Sequence, residues 1–276
     1  MTSGSAEGVY LFCFAHRNSL PAIGNLGLDG QPPILQWAFK DVVAVFSKVA
    51  LETWAGPAAE ANLQDLAWVG PRACRHEETV ERVMRHSPVL PARFATIFFS
   101  LENLGRLLEH HYDTISEFLD CTADKEEWAV KGLIDKAKAE AQLRAADARQ
   151  SSLPASPGGR YLQEQRIRAE ASRKLRSWAR TVGEAIAEEL QDHALDFCAL
   201  KTLTQDVSGR DKDMAFNWAF LLQQETREAF RACVEQISGA HSAQGLALDL
   251  TGPWPPYNFC PCLTDRRGIL KGDEER

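Results

Sequence analysis

Seven histidines and seven cysteines are the residues through which this 276-residue chain could hold a metal or run redox chemistry. Their spacing decides the matter. His110 and His111 are adjacent, so on a helix they point about 100° apart and do not share one ion easily. His76 and His86 lie ten positions apart. His76-Glu77-Glu78 opens like a metalloprotease motif, but no second histidine follows at the offset that H-E-x-x-H requires. Surface or capping histidines are therefore expected. Cys260-Pro261-Cys262 is a close thiol pair. A zinc ribbon needs a second such pair, and Cys13, Cys74, Cys121, Cys198 and Cys233 all stand alone. An odd, scattered set of thiols fits a reducing compartment better than a disulfide framework. No metal and no cofactor is expected.

Nucleophilic and phosphate chemistry fare no better. There is no G-x-S-x-G, and Ser208-Gly209 lies in a polar stretch without the preceding glycine. There is no G-x-x-x-x-G-K-[ST]. Gly24, Gly27 and Gly30 precede Pro32-Pro33 instead of opening a helix, so they make no phosphate cradle. The stretch from Arg160 to Arg180 is locally basic, with Arg166, Arg168, Arg173, Lys174 and Arg176 inside it. It reads as a solvated helix face, as a docking surface for an acidic protein or, third, as a contact for nucleic acid. Arg93 and Phe94 open an apolar run in Arg93-Phe94-Ala95-Thr96-Ile97-Phe98. An arginine there pairs with a carboxylate, caps a helix end or serves an interface.

The segment Thr251-Gly252-Pro253-Trp254-Pro255-Pro256-Tyr257 is physically unusual. Proline fixes φ and has no N–H to donate, so the segment cannot continue a central strand. Gly252 gives the freedom to leave a sheet. Trp254 and Tyr257 then ride on a stiff backbone. Either they clamp onto the protein's own surface, or they are presented to a partner as rigid aromatic anchors.

These residues must be positioned by something, and the bulk composition allows a core: 45% of residues are hydrophobic and 25% charged. The net charge of −7 disfavours binding to nucleic acid or to an anionic membrane. No apolar run approaches the ~20 residues of a membrane span. Met1 to Gly8 lack the pattern of a signal peptide, so a cytoplasmic location is expected.

Strands are expected at Val9 to Ala15, Ile34 to Phe39, Val42 to Val49 and Phe94 to Phe99. Helices are expected from Pro57, from Cys74 to His86, and from Leu101 through Ile115. Beyond Lys125 the order is clearer. Trp128, Val130 and Ile134 mark a strand, and Lys136 to Gln150 a helix that breaks at Leu153 to Gly159. Leu175, Trp178, Val182, Ile186 and Leu190 mark one face of a second helix. Leu195, Phe197 and Ala199 alternate, a polar turn spans Val207 to Asp213, and Met214, Phe216, Trp218, Phe220 and Leu222 share one parity. A helix carrying Phe230, Cys233, Val234 and Ile237 precedes a strand with Leu246, Leu248 and Leu250. The order β-α-β-β-α-β is the ferredoxin-like pattern. The fold expected is therefore α+β, with two domains. Residues 1–122 form an N-terminal α+β domain. Residues 123–260 form a ferredoxin-like domain with an antiparallel sheet and helices on one face. Residues 261–276 form a flexible charged tail.

The closing Thr251 to Phe259 segment resembles the C-terminal signature of the GvpF/GvpL gas-vesicle proteins. Gly56-Pro57, Leu66-Ala67-Trp68-Val69, His76-Glu77 and Leu90-Pro91-Ala92-Arg93-Phe94 look like that family's earlier blocks. Glu127 to Lys131, Gly159 to Leu162 and Asn217 to Leu221 look like its later ones. The resemblance implies glycine in an Arg-Phe-Gly-Thr block, where this chain has Ala95, which puts in question any positive-φ conformation there. It also implies a non-enzymatic accessory protein of gas-vesicle assembly. The partners would be the hydrophobic shell protein and other accessory proteins, and the location the gas vesicle. Arg93, Phe94, Trp254, Pro255, Pro256 and Tyr257 are its interface or structural signature. A small-molecule enzyme or an RNA-binding module on the same scaffold is the alternative.

Overall fold

The computed structural model describes residues 6–17, 27–30, 33–147, 157–202, 213–263 and 269–270. The expected loop around Gly24, the centre of the break at Leu153 to Gly159 and most of the polar turn before Asp213 lie outside the described residues. Two compact units are present: Met1–Glu126 together with Trp254–Arg276, and Glu127–Pro253. Residues 254–260, expected in the C-terminal domain, thus belong to the first unit.

The first unit is built on a sheet ordered β10-β5-β1-β3-β2, with β4 also paired to β1. Its strands are β1 (Glu7–His16), β2 (Leu35–Phe39), β3 (Val42–Ala50), β4 (Val89–Pro91), β5 (Ile97–Phe98) and β10 (Ile269–Leu270). β1 is apolar at nearly every position because both of its faces are covered. Val9, Leu11 and Phe14 enter one core cluster. Tyr10, Phe12, Cys13 and Ala15 enter the other. The switch of parity coincides with a bulge between Leu11 and Cys13, where one extra residue turns the following side chains to the opposite face. One face is covered by helices α4 (Leu101–His110) and α5 (Tyr112–Thr122), through Leu104, Leu107, Leu108, Ile115 and Leu119. The other is covered by α1 (Leu51–Trp54) and α3 (Leu66–Met84), through Trp54, Val80 and Val83. The short helix α2 (Pro57–Gln64) links α1 to α3 and starts at proline, as expected.

Several boundaries differ from expectation for identifiable reasons. α3 begins two turns before Cys74, because Asp65 caps its first turn by accepting from the Ala67 N–H at 2.9 Å. The helix then carries Pro71 in its interior. The run expected as one helix from Leu101 breaks at His111, which ends α4 and precedes α5. Of the strand expected at Phe94 to Phe99, only Ile97–Phe98 pairs. The tail, expected to be flexible, supplies the two-residue strand β10 against β5.

The second unit has a four-stranded sheet ordered β7-β8-β6-β9. It contains β6 (Lys125–Ile134), α6 (Lys136–Asp147), α7 (Pro157–Gln191), β7 (Asp196–Ala199), β8 (Asp213–Gln223), α8 (Arg227–His241) and β9 (Leu246–Trp254). Taken by position, the strands run second, third, first, fourth, which is the ferredoxin-like arrangement of an antiparallel sheet. Proline is well placed at the start of α7, so Pro157 begins a helix where a loop was expected to continue. Phe216, Trp218, Phe220 and Leu222 of β8 join Leu175, Ile186 and Leu190 of α7 and Phe230, Val234 and Ile237 of α8 in one core. Each such side chain contributes on the order of 2–3 kcal/mol when buried. Gly132 interrupts the apolar parity of β6 because the Phe216 ring takes its side-chain space. A Cβ at that position would lie 2.3 Å from Phe216 Cζ. β9 is an edge strand, which is why it tolerates Pro253 near its end.

Candidate functional site

β9 bends near its end at Gly252, whose φ is +143°, and closes at Trp254. A Cβ there would meet the Glu127 carbonyl at 2.9 Å and the Trp128 ring at 3.0 Å. Glycine is thus required twice, by conformation and by close approach. Beyond it the chain joins the first unit. Pro255 and Pro256 are buried, while Trp254 and Tyr257 are half-buried.

Tyr257 ends on a polar cluster organised by His76 of α3. The imidazole is buried, with 3% exposure, although surface or capping histidines were expected. Its Nδ1 lies 2.9 Å from the Tyr10 hydroxyl. Its Nε2 lies 3.1 Å from the Ala92 carbonyl and 3.2 Å from the Tyr257 hydroxyl. The network assigns the tautomer: Nε2–H donates, and Nδ1 accepts from Tyr10. The Tyr257 hydroxyl donates to Glu77 Oε2 at 3.0 Å. The Tyr10 oxygen accepts from the Ala95 N–H at 3.3 Å. Thr79, Val80 and Val83 fall on the same buried face of α3, and that spacing is the sequence signal that could have placed His76 inside.

Burial governs the electrostatics. It pushes the His76 pKa down to about 4, with the Ala92 carbonyl bond acting in the opposite direction. It pushes both tyrosines well above the usual phenol range, and the Glu77 carboxylate adds to the effect on Tyr257. Glu77 itself is raised, first by burial and then by Glu81, against the lowering bond from Tyr257. At neutral pH the cluster is thus a neutral imidazole between two protonated phenols. Its chemistry is that of a hydrogen-bonded anchor.

Around it runs an aromatic layer. Tyr10 packs on Trp54 at 5.4 Å, and Trp54 on Trp68 at 4.7 Å and Phe94 at 5.8 Å. Phe94 is half-buried there, whereas Arg93 is exposed and makes no ion pair among the described residues. The Arg93 carbonyl instead accepts from the Thr96 N–H at 3.1 Å and from its hydroxyl at 2.6 Å. This turn places Ala95 at φ +66°, so the left-handed conformation is kept although the residue is not glycine. Phe94 and Tyr257 are therefore brought to one cluster with Pro255 and Pro256 beside it, and Arg93 faces outward. Cys260 lies with its thiol 3.1 Å from the Pro256 carbonyl and packs against the core beneath α4 and α5. Among the described residues no group of three or more His, Cys, Asp or Glu side chains could hold a metal ion. No described helix is long and apolar enough to cross a membrane.

The sequence model of the family described as gas vesicle synthesis protein GvpL/GvpF matches residues 8–261. The chain belongs to the GvpL/GvpF family. Membership places it in gas-vesicle formation. Gas vesicle protein L of Streptomyces sp. (strain CB03234) is 31% identical over 266 residues, covering 94% of each chain. Gas vesicle protein L1 of Halobacterium salinarum is 24% identical over 269 residues, covering 93% of this chain and 91% of its own. The fold is that of the crystal structure of GvpF from Anabaena sp. PCC7120, with a TM-score of 0.66 and 20% identity over 93% of this chain and 97% of that one. GvpF from Microcystis aeruginosa gives a TM-score of 0.60 at 19% identity, over 92% of this chain and 99% of that one. The matched span takes in both the Arg93 turn and the closing segment.

Proposed function

We propose that the chain is a non-enzymatic accessory protein of gas-vesicle assembly, located in the cytoplasm and at the vesicle. In this reading it binds the hydrophobic shell protein and other accessory proteins during nucleation or growth. The observation that supports the reading, beside family membership, is a set of exposed apolar side chains at two corners of the first unit. Leu66 is 84% exposed at the start of α3, and Leu63 is exposed at the end of α2. Phe99 and Leu101 are exposed at the corner between β5 and α4. Exposed side chains of this size are the expected contacts for a very hydrophobic partner. The anchor beneath holds α3, the Arg93 turn and the closing segment in place. In this reading Phe94, Pro255, Pro256 and Tyr257 are structural, and Arg93 is free to meet a partner.

Co-purification with the shell protein at physiological salt tests the proposal. The wild-type chain should retain it. A Leu66→Glu, Phe99→Glu chain should fold normally, because both positions are exposed, and should lose it. Absence of every gas-vesicle protein from the wild-type eluate overturns the reading.

A further inference from the structure

The second unit carries a feature that shell binding through the first unit leaves unused. Along α7, the small residues Ala179, Gly183 and Ala187 follow one another at four-residue spacing and line a groove of about 550 Å³ beside the β7–β8 hairpin. Their small size opens the groove, since the Phe216 ring lies only 3.3 Å from where a Gly183 Cβ would sit. The apolar floor comes from Phe197, Met214 and Phe216. Phe197 and Met214 are only half-buried. The helix-side rim carries Arg176, Arg180 and Glu184, all exposed. Lys136 lies at one end, paired with Asp213. Arg180 is 3.9 Å from Glu184, a loose surface pair worth little, so the arginines keep most of their pairing capacity. With Lys136, Arg176 and Arg180 set against Glu184 and Asp213, the lining keeps a net positive charge in a chain whose net charge is −7.

From Leu175 to Ala187 the wall rises about 18 Å, which matches about three turns of a second helix. Close approach of two helices needs small residues on one side, and the basic rim calls for carboxylates on the other. We infer that this groove docks an amphipathic helix of a partner protein, one that carries Asp or Glu beside its apolar stripe. The inference builds on the assembly reading only in expecting a protein partner. It assigns that partner to the second unit and to a chemistry distinct from that of the apolar first-unit surface.

Fluorescence anisotropy with two labelled synthetic helices of about 14 residues tests it on the full chain. Both peptides share a leucine stripe, flanked by glutamates in one and lysines in the other. The glutamate peptide should bind about tenfold or more tightly than the lysine peptide. The exposed Arg176→Glu, Arg180→Glu double variant should reverse that preference. Ala179→Phe, which fills the slot, should abolish binding of both, with circular dichroism confirming an unchanged fold. Three results overturn the inference: no binding of the glutamate peptide, equal binding of both peptides, or preference for a single-stranded RNA oligonucleotide competitor that displaces the peptide. Loss of shell-protein co-purification alongside a positive peptide result would sink the first-unit reading and leave this one standing.

Discussion

Ala95 offers the sharpest test of the anchor, because its backbone is held where alanine is strained. At φ +66° its Cβ crowds the following carbonyl, which costs about 1–2 kcal/mol. Ala95→Gly removes that cost. Against it stand the larger entropy of the unfolded chain, about 0.4–1 kcal/mol, and the loss of a half-buried methyl, about 0.4 kcal/mol. The net is a small gain of about 0.5 kcal/mol. Ala92→Gly is the control: residue 92 is buried three positions away, and it has no positive φ to relieve. It should lose about 1.5 kcal/mol from the same entropy and a fully buried methyl. The two variants of one chemistry should therefore differ by about 2 kcal/mol, or about 4–8 °C in melting temperature at 2–4 °C per kcal/mol. Scanning calorimetry on the full chain reads this difference in the transition of the first unit. If Ala95→Gly falls as far as Ala92→Gly, residue 95 is not left-handed in solution and the reasoning about the turn fails.

The other predictions concern the same network and its exit from the sheet. Gly252→Ala should cost about 3 kcal/mol or more, from positive φ plus the clash with the Glu127 carbonyl; an unchanged urea midpoint would contradict the close approach. Tyr257→Phe should cost about 1–2 kcal/mol by leaving Glu77 without its phenol donor; no loss would mean that the closing segment is not anchored there. His76 has a folded pKa near 4, below the ordinary 6.5, so the unfolded chain binds a proton between those values that the folded chain does not. Stability should thus be fully present above about pH 6.5 and fall by up to about 3 kcal/mol as pH drops toward 4. Glu77, raised in the fold, takes up its proton early and offsets part of that loss. Urea midpoints from pH 4 to 7 should show this slope in the wild type and a shallower one in His76→Gln; equal slopes would remove His76 as its cause.

Much of the second unit was legible because strand parity is a local signal. The large residues Met214, Phe216, Trp218, Phe220 and Leu222 share one parity and marked β8, and the periodicity of the neighbouring elements supplied the ferredoxin-like order. The first unit was harder to read for physical reasons. β1 is covered on both faces and bulged, so it shows a continuous apolar run and no alternation. Pro71 hid the first two turns of α3, since an interior proline reads as a boundary until the Asp65 cap is seen. The Arg93 turn looked like the start of a strand because Phe94, Ile97 and Phe98 are all apolar. What bends it is the bonding of Thr96 back to the Arg93 carbonyl. The site was the least legible part. The motif Trp254 to Tyr257 was picked out by its prolines, but its partners His76 and Glu77 lie about 180 positions earlier. No local pattern joins them. Those two hydrogen bonds favour the clamp reading for Tyr257.

Hydrogen–deuterium exchange on the purified chain, with and without the shell protein, tests whether the first unit meets that protein. Exchange should slow at the α2–α3 corner around Leu63 and Leu66 and at the β5–α4 corner around Phe99 and Leu101. The Leu66→Glu, Phe99→Glu chain should show no such protection. Unchanged exchange across the whole first unit, at concentrations where the shell protein is retained, would contradict that contact.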